Sequence, residues 1–62
     1  MSREELLAEF YIQYDICLAT DLFGAYFIHD PLCIIESPCF PEIGDLEDWV
    51  IKNLADLERK LG

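Results

Sequence analysis

The sequence predicts an α+β fold: one small domain over residues 1–62, ordered helix, β-hairpin, helix, and open to dimerisation. Three observations carry this. Residues 2–23 hold no Gly, Pro or Asn and place apolar side chains at helical steps. Residues 25–37 are aromatic and β-branched on both sides of Asp30-Pro31. Residues 46–61 alternate apolar and charged positions with the period of an amphipathic helix.

The first helix opens on Ser2-Arg3-Glu4-Glu5, a capping box in which the Ser2 hydroxyl accepts a backbone N–H. Leu7, Phe10, Tyr14, Cys17 and Leu18 then form one face, and Gly24 suits the left-handed residue that ends a helix. A strand pattern runs through the same residues, with Phe10, Ile12, Tyr14, Ile16 and Leu18 alternating against Tyr11, Gln13, Asp15 and Cys17. The alternative order is therefore α-β-β-β-α, with residues 10–19 as a strand. The helix is preferred because no turn residue separates the two patterns. On it, Ile12 and Ile16 fall off the main stripe and call for a second covering surface.

The hairpin is expected between Ala25–His29 and Leu32–Glu36, with Asp30-Pro31 as its turn. Pro38 and Pro41 make residues 37–44 a loop. Asp45 is read as the cap of the second helix, 46–61, whose apolar face is Leu46, Trp49, Val50, Leu54, Leu57 and Leu61. Asp48–Lys52 and Asp56–Lys60 are spaced for ion pairs. A two-stranded hairpin is not stable alone in water, so both helices should cover one face and leave the other open or paired at an edge with a second copy.

Composition bounds the function. A 62-residue chain buries only roughly 60% of its unfolded surface, yet 53% of its residues are hydrophobic. Some apolar surface should remain outside and mark an interface. Thirteen acids face four bases, for a net charge of -9, and eleven acids but no Lys or Arg lie between Glu4 and Ile51. Such a surface repels nucleic acid and anionic membrane and attracts basic protein. Three cysteines, no secretory pattern and no long apolar run fit a soluble protein in a reducing, cytoplasmic setting.

Catalytic and metal patterns are weak. Cys17, His29, Cys33 and Cys39 include soft ligands, but their spacings form no tight pair of the kind structural zinc sites use. The thiols read as small buried hydrophobes. Cys33 or Cys39 with His29 and Asp30 supplies the residue types of a thiol nucleophile, without a surrounding motif. No enzyme and no cofactor is expected.

What remains is a small acidic protein-interaction module or adaptor, binding a larger protein with a basic surface. Its candidate contact residues are Tyr11, Asp15, Asp21, Tyr26, Asp30, Glu36, Phe40 and Glu42, with Trp49 more naturally a core residue. Aromatics would supply affinity and acids orientation. The alternatives are an inhibitor that imitates nucleic-acid charge and a small structural or zinc-binding subunit. A homodimer is compatible with each.

Overall fold

The computed structural model describes residues 2–62. Its elements are α1 (Arg3–Gln13), β1 (Cys17–Thr20), β2 (Tyr26–His29), α2 (Ile43–Lys52) and α3 (Leu54–Leu61). The α+β order of helix, two-stranded antiparallel hairpin and C-terminal helices is therefore present. The hairpin is formed by different residues from those expected.

Helix α1 starts where the capping box places it, with Ser2 Oγ accepting the Glu5 N–H at 3.2 Å. It stops at Gln13 without any Gly, Pro or Asn. Asp15 takes the left-handed conformation (φ 57°), the Ile16 N–H bonds the Tyr11 carbonyl at 2.9 Å, and the Asp15 N–H bonds that of Ile12. These are the two bonds of a Schellman motif, with Asp in the position glycine usually holds. Asp tolerates this conformation better than most side chains, because its short polar group bonds locally. The chain turns there, so Cys17 and Leu18 belong to β1. A strand over the whole of 10–19 is also ruled out, since residues 10–13 are helical.

Strand β1 pairs with β2 in the register Cys17↔His29, Leu18↔Ile28, Ala19↔Phe27 and Thr20↔Tyr26. The connecting loop is Leu22-Phe23-Gly24. The Gly24 N–H bonds the Asp21 carbonyl at 3.1 Å, and the Asp21 N–H bonds the Ala25 carbonyl at 2.9 Å. Gly24 has φ 80°. This is the pattern of a three-residue hairpin loop closed by a left-handed glycine. Gly24 does supply a left-handed residue, but to a hairpin rather than to a helix end.

Residues 32–36, expected as the return strand, do not form one. The Asp30-Pro31 turn exists, with the Cys33 N–H on the Asp30 carbonyl at 3.0 Å. Beyond it the chain meets β2 only through isolated bridges, His29↔Glu36 and Tyr26↔Phe40. A regular ladder fails because Cys33 is left-handed (φ 55°) and the Asp30 carboxylate takes the Leu32 and Ile35 N–H groups; beyond these, Pro38 has no N–H and the pairing passes through the Ser37 side chain. Its Oγ accepts the Ile28 N–H at 2.8 Å while the Ser37 N–H bonds the Ile28 carbonyl.

The C-terminal segment also differs in detail. Helix α2 begins at Ile43 behind Glu42, so Asp45 lies in its first turn rather than at its cap. Asn53 separates α2 from α3: its Nδ2 donates to the Trp49 carbonyl at 2.8 Å, and its backbone leaves helical values. Asp48 bonds Arg3 at 2.6 Å and Asp56 bonds Arg59, in place of the expected partners Lys52 and Lys60.

The core collects Leu7 and Phe10 of α1, Ile28 of β2, Ile35, Leu46 and Val50 of α2, and Leu57 of α3. Trp49, Leu54 and Leu61 pack at its margin. In an antiparallel pair, opposed residues share a face. Ile28 therefore turns Leu18, Thr20 and Tyr26 toward the core side, and Cys17, Ala19, Phe27 and His29 to the other. No helix among the described residues is long and apolar enough to cross a membrane.

Candidate interaction surface

Apolar side chains that a fold leaves in water locate a contact surface better than those it encloses. The hairpin loop is where this is most pronounced. Leu22 is 100% and Phe23 94% exposed, on consecutive positions. Their backbone is held in place by Asp21, whose Oδ1 accepts the Phe23 N–H at 2.8 Å and the Ala25 N–H at 2.9 Å. The Ala25 bond, some opposing desolvation, the Phe23 bond and the Cys39 thiol together leave the Asp21 carboxyl pKa lowered. The loop thus presents two large apolar groups on a braced turn, beside an ionised carboxylate.

The other exposed apolar side chains lie elsewhere. Leu32 and Ile34 flank the turn that follows β2, Ile12 stands near the end of α1, Leu18 lies on β1, and Ile43 begins α2. An open cleft of about 300 Å³ is lined by Ile34, Ile35, Glu36, Trp49, Asn53, Asp56, Leu57 and Lys60. Its lining holds acids, a lysine and an amide but no cysteine, histidine or hydroxyl side chain.

The eight expected contact residues divide into three groups. Asp15, Glu36 and Glu42 are exposed. Tyr11, Tyr26 and Phe40 are half-buried against the core, so the protein itself holds them and they are not free anchors. Phe40 packs on Trp49 with ring centroids 6.4 Å apart, and Tyr11 on Phe10 at 5.9 Å. Burial, followed by the charge of Glu47, raises the Tyr11 hydroxyl pKa. Asp21 commits its Oδ1 to its own loop but stays part-exposed, whereas Asp30 is enclosed.

Asp30 is the clearest correction. It is 3% exposed, and its carboxylate accepts the Ile35 N–H at 2.8 Å and the Leu32 N–H at 3.3 Å. Desolvation pushes its pKa up, but the N–H groups of Ile35, Leu32 and their neighbours together outweigh that and lower it. A charge so placed organises the turn and is not presented to a partner.

The thiols are exposed rather than buried: Cys17, Cys33 and Cys39 are all free and open to solvent. Two of the four soft ligands, Cys17 and His29, stand opposite each other across the sheet. His29 directs Nδ1 to the Asp30 carbonyl at 3.0 Å. Among the described residues, no group of three or more His, Cys, Asp or Glu is placed to hold a metal ion. Desolvation, then the charge of Asp21, raises the Cys39 pKa, which is the wrong direction for a nucleophile.

Sequence reasoning missed Leu22 and Phe23 because they were assigned to the end of a long helix. Their signal was present in Asp21-Leu22-Phe23-Gly24, with Asp at the first and Gly at the fourth position of a tight turn. Central turn positions point outward, so a Leu-Phe pair there is exposed by construction.

Compared with protein-family models, curated proteins and solved structures, the chain matches none.

Proposed function

We propose that this chain is a small acidic interaction module that binds a larger protein through its hairpin loop, by association rather than catalysis. The observation that carries this reading is the full exposure of Leu22 and Phe23 on a turn braced by Asp21 and Gly24. Burying a Leu or Phe side chain contributes about 1.5–3 kcal/mol, and a pre-formed turn loses little freedom on binding. The two residues enter an apolar pocket on the partner, and nearby acids meet bases at its rim. A reducing, cytoplasmic compartment suits the three free, exposed thiols.

The acids have few internal counter-charges. Arg3 lies against Asp48 and Glu47, and Arg59 against Asp56. The charges of Asp15, Glu36 and Glu42 have no base near them in sequence. This also supports a second reading, in which the acids imitate a nucleic-acid backbone and occupy the basic groove of a nucleic-acid-binding protein. Salt separates the two. Partner capture by tagged protein from host lysate is expected to persist from low to high salt and to fail on Leu22→Ser/Phe23→Ser. A partner released by salt yet indifferent to the double substitution supports the charge-mimic reading instead.

A further inference from the structure

The outer edge of β1 is open, and the hydrogen-bond pattern shows which groups it offers. On β2, Tyr26 exchanges both of its backbone bonds with Phe40, at 2.7 and 2.8 Å. The Ile28 N–H is taken by Ser37 Oγ and its carbonyl by the Ser37 N–H. Both residues thus direct their polar groups away from β1. The ladder between the strands must use Phe27 and His29, whose opposed residues are Ala19 and Cys17. The Asp21–Ala25 bond continues the same two-residue step. Backbone direction alternates along a strand, so the N–H and C=O groups of Leu18 and Thr20 point outward. No described residue bonds them.

Natural proteins blunt such edges with Lys, Pro or bulges. β1 is short but carries none of these; its residues are Cys-Leu-Ala-Thr, and Leu18 is 53% exposed. The flanks are acidic, Asp15 before the strand and Asp21 after it. A second copy is a poor occupant. Laid antiparallel about Leu18, it brings Asp15 of each chain opposite Asp21 of the other, and each chain carries a net charge of -9.

We infer that β1 is an augmentation edge for an extended segment of another protein, apolar and β-branched at its centre with a basic residue at each end. Backbone bonds to Leu18 and Thr20 hold the segment, its apolar centre covers Leu18, and its bases meet Asp15 and Asp21. The edge runs directly into the hairpin loop, so the inference rests on the reading of this chain as a protein-binding module and names the chemistry of the bound segment.

The test uses isotopically labelled 62-residue protein and a short alternating valine–threonine peptide with lysine at each end. Amide exchange at Leu18 and Thr20 is expected to slow by about tenfold or more on peptide saturation, with Ile28 unchanged. The same peptide N-methylated at alternate residues, and one with glutamates replacing the lysines, are expected to give no protection. Asp15→Gly relieves a left-handed Asp, so it is expected to raise fold stability while weakening the lysine peptide severalfold. An ordinary structural role for Asp15 does not predict those opposite signs. Unchanged exchange at Leu18 and Thr20, or equal protection by the N-methylated or glutamate peptide, overturns the inference. Protection without peptide that grows with protein concentration also overturns it, in favour of a second copy. None of these readouts involves Leu22 or Phe23. A failed peptide beside intact loop-dependent capture therefore removes the edge alone.

Discussion

Asp30 shows how a single carboxylate can be both charged and enclosed. Its bonds from the Ile35 and Leu32 N–H groups favour the ionised form and lower its pKa below the usual carboxylate value. The unfolded chain consequently binds a proton more readily than the folded one as pH falls. The stabilisation is fully present above the unfolded pKa, near 4, and is lost as pH drops through the lower folded value. Asp21 shifts in the same direction. Asp30→Asn is expected to lower the urea midpoint at neutral pH and to flatten its decline below about pH 4; urea titrations across pH check both. Two left-handed residues make a paired prediction. Gly24→Ala meets no atom within 4 Å of the new Cβ, so its penalty is backbone strain alone, about 1 kcal/mol. Asp15→Gly relieves the same kind of strain and stabilises by up to about 1 kcal/mol. Equilibrium unfolding of both variants reads the opposite signs. Residue type made a left-handed Gly24 and a turn at Asp30-Pro31 legible, but not the separate roles of the three acids. Asp15, Asp21 and Asp30 read alike as surface charge in a sequence, whereas the first ends a helix, the second braces a loop and the third closes a turn.

At the scale of elements, what was legible followed from periodicity. The apolar stripe of residues 46–61 and the capping signal at Ser2 are local properties, and both emerge in the helices they indicated. The hairpin was misplaced because its strands are named by pairing, which is not local. A strand forms within the expected residues 25–29, at Tyr26–His29, but its ladder partner is 17–20 rather than 32–36. The Leu32–Glu36 segment has the right composition, yet Cys33 is left-handed and the Asp30 carboxylate takes the Leu32 and Ile35 N–H groups. The contact surface shifted with it, from half-buried aromatics to the loop that the true pairing creates. Helices α1 and α2 are clamped by Arg3, which reaches Asp48, Glu47 and the Gly44 carbonyl at 3.1 Å. These groups are substantially exposed, so Arg3→Ala is expected to cost no more than about 1 kcal/mol, and less at high salt. Denaturant midpoints at two ionic strengths measure it.

Over the whole molecule, a small core and a large charge set the balance. A domain of this length has a total stability of only about 3–9 kcal/mol, while Phe10→Ala in a well-packed core costs about 3–5 kcal/mol. Phe10 is among the largest fully buried side chains, so that variant is expected to lose a large share of the total stability, read as a strongly lowered urea midpoint by circular dichroism. Two large apolar side chains nonetheless stay in water, on a turn braced by Asp21, which accepts the Phe23 and Ala25 N–H groups on its carboxylate and the Gly24 N–H on its carbonyl. A domain with so little core to spare gains nothing for folding from Leu22 and Phe23, which is the argument for their use in binding. The most direct test is the affinity of the captured partner for wild-type protein and for Leu22→Ser/Phe23→Ser, after circular dichroism shows both to be equally folded. Binding through the loop predicts a loss of about a hundredfold or more in Kd for the double variant, as expected when two buried apolar anchors are removed. An unchanged Kd for an equally folded variant contradicts it and returns the binding surface to the acids.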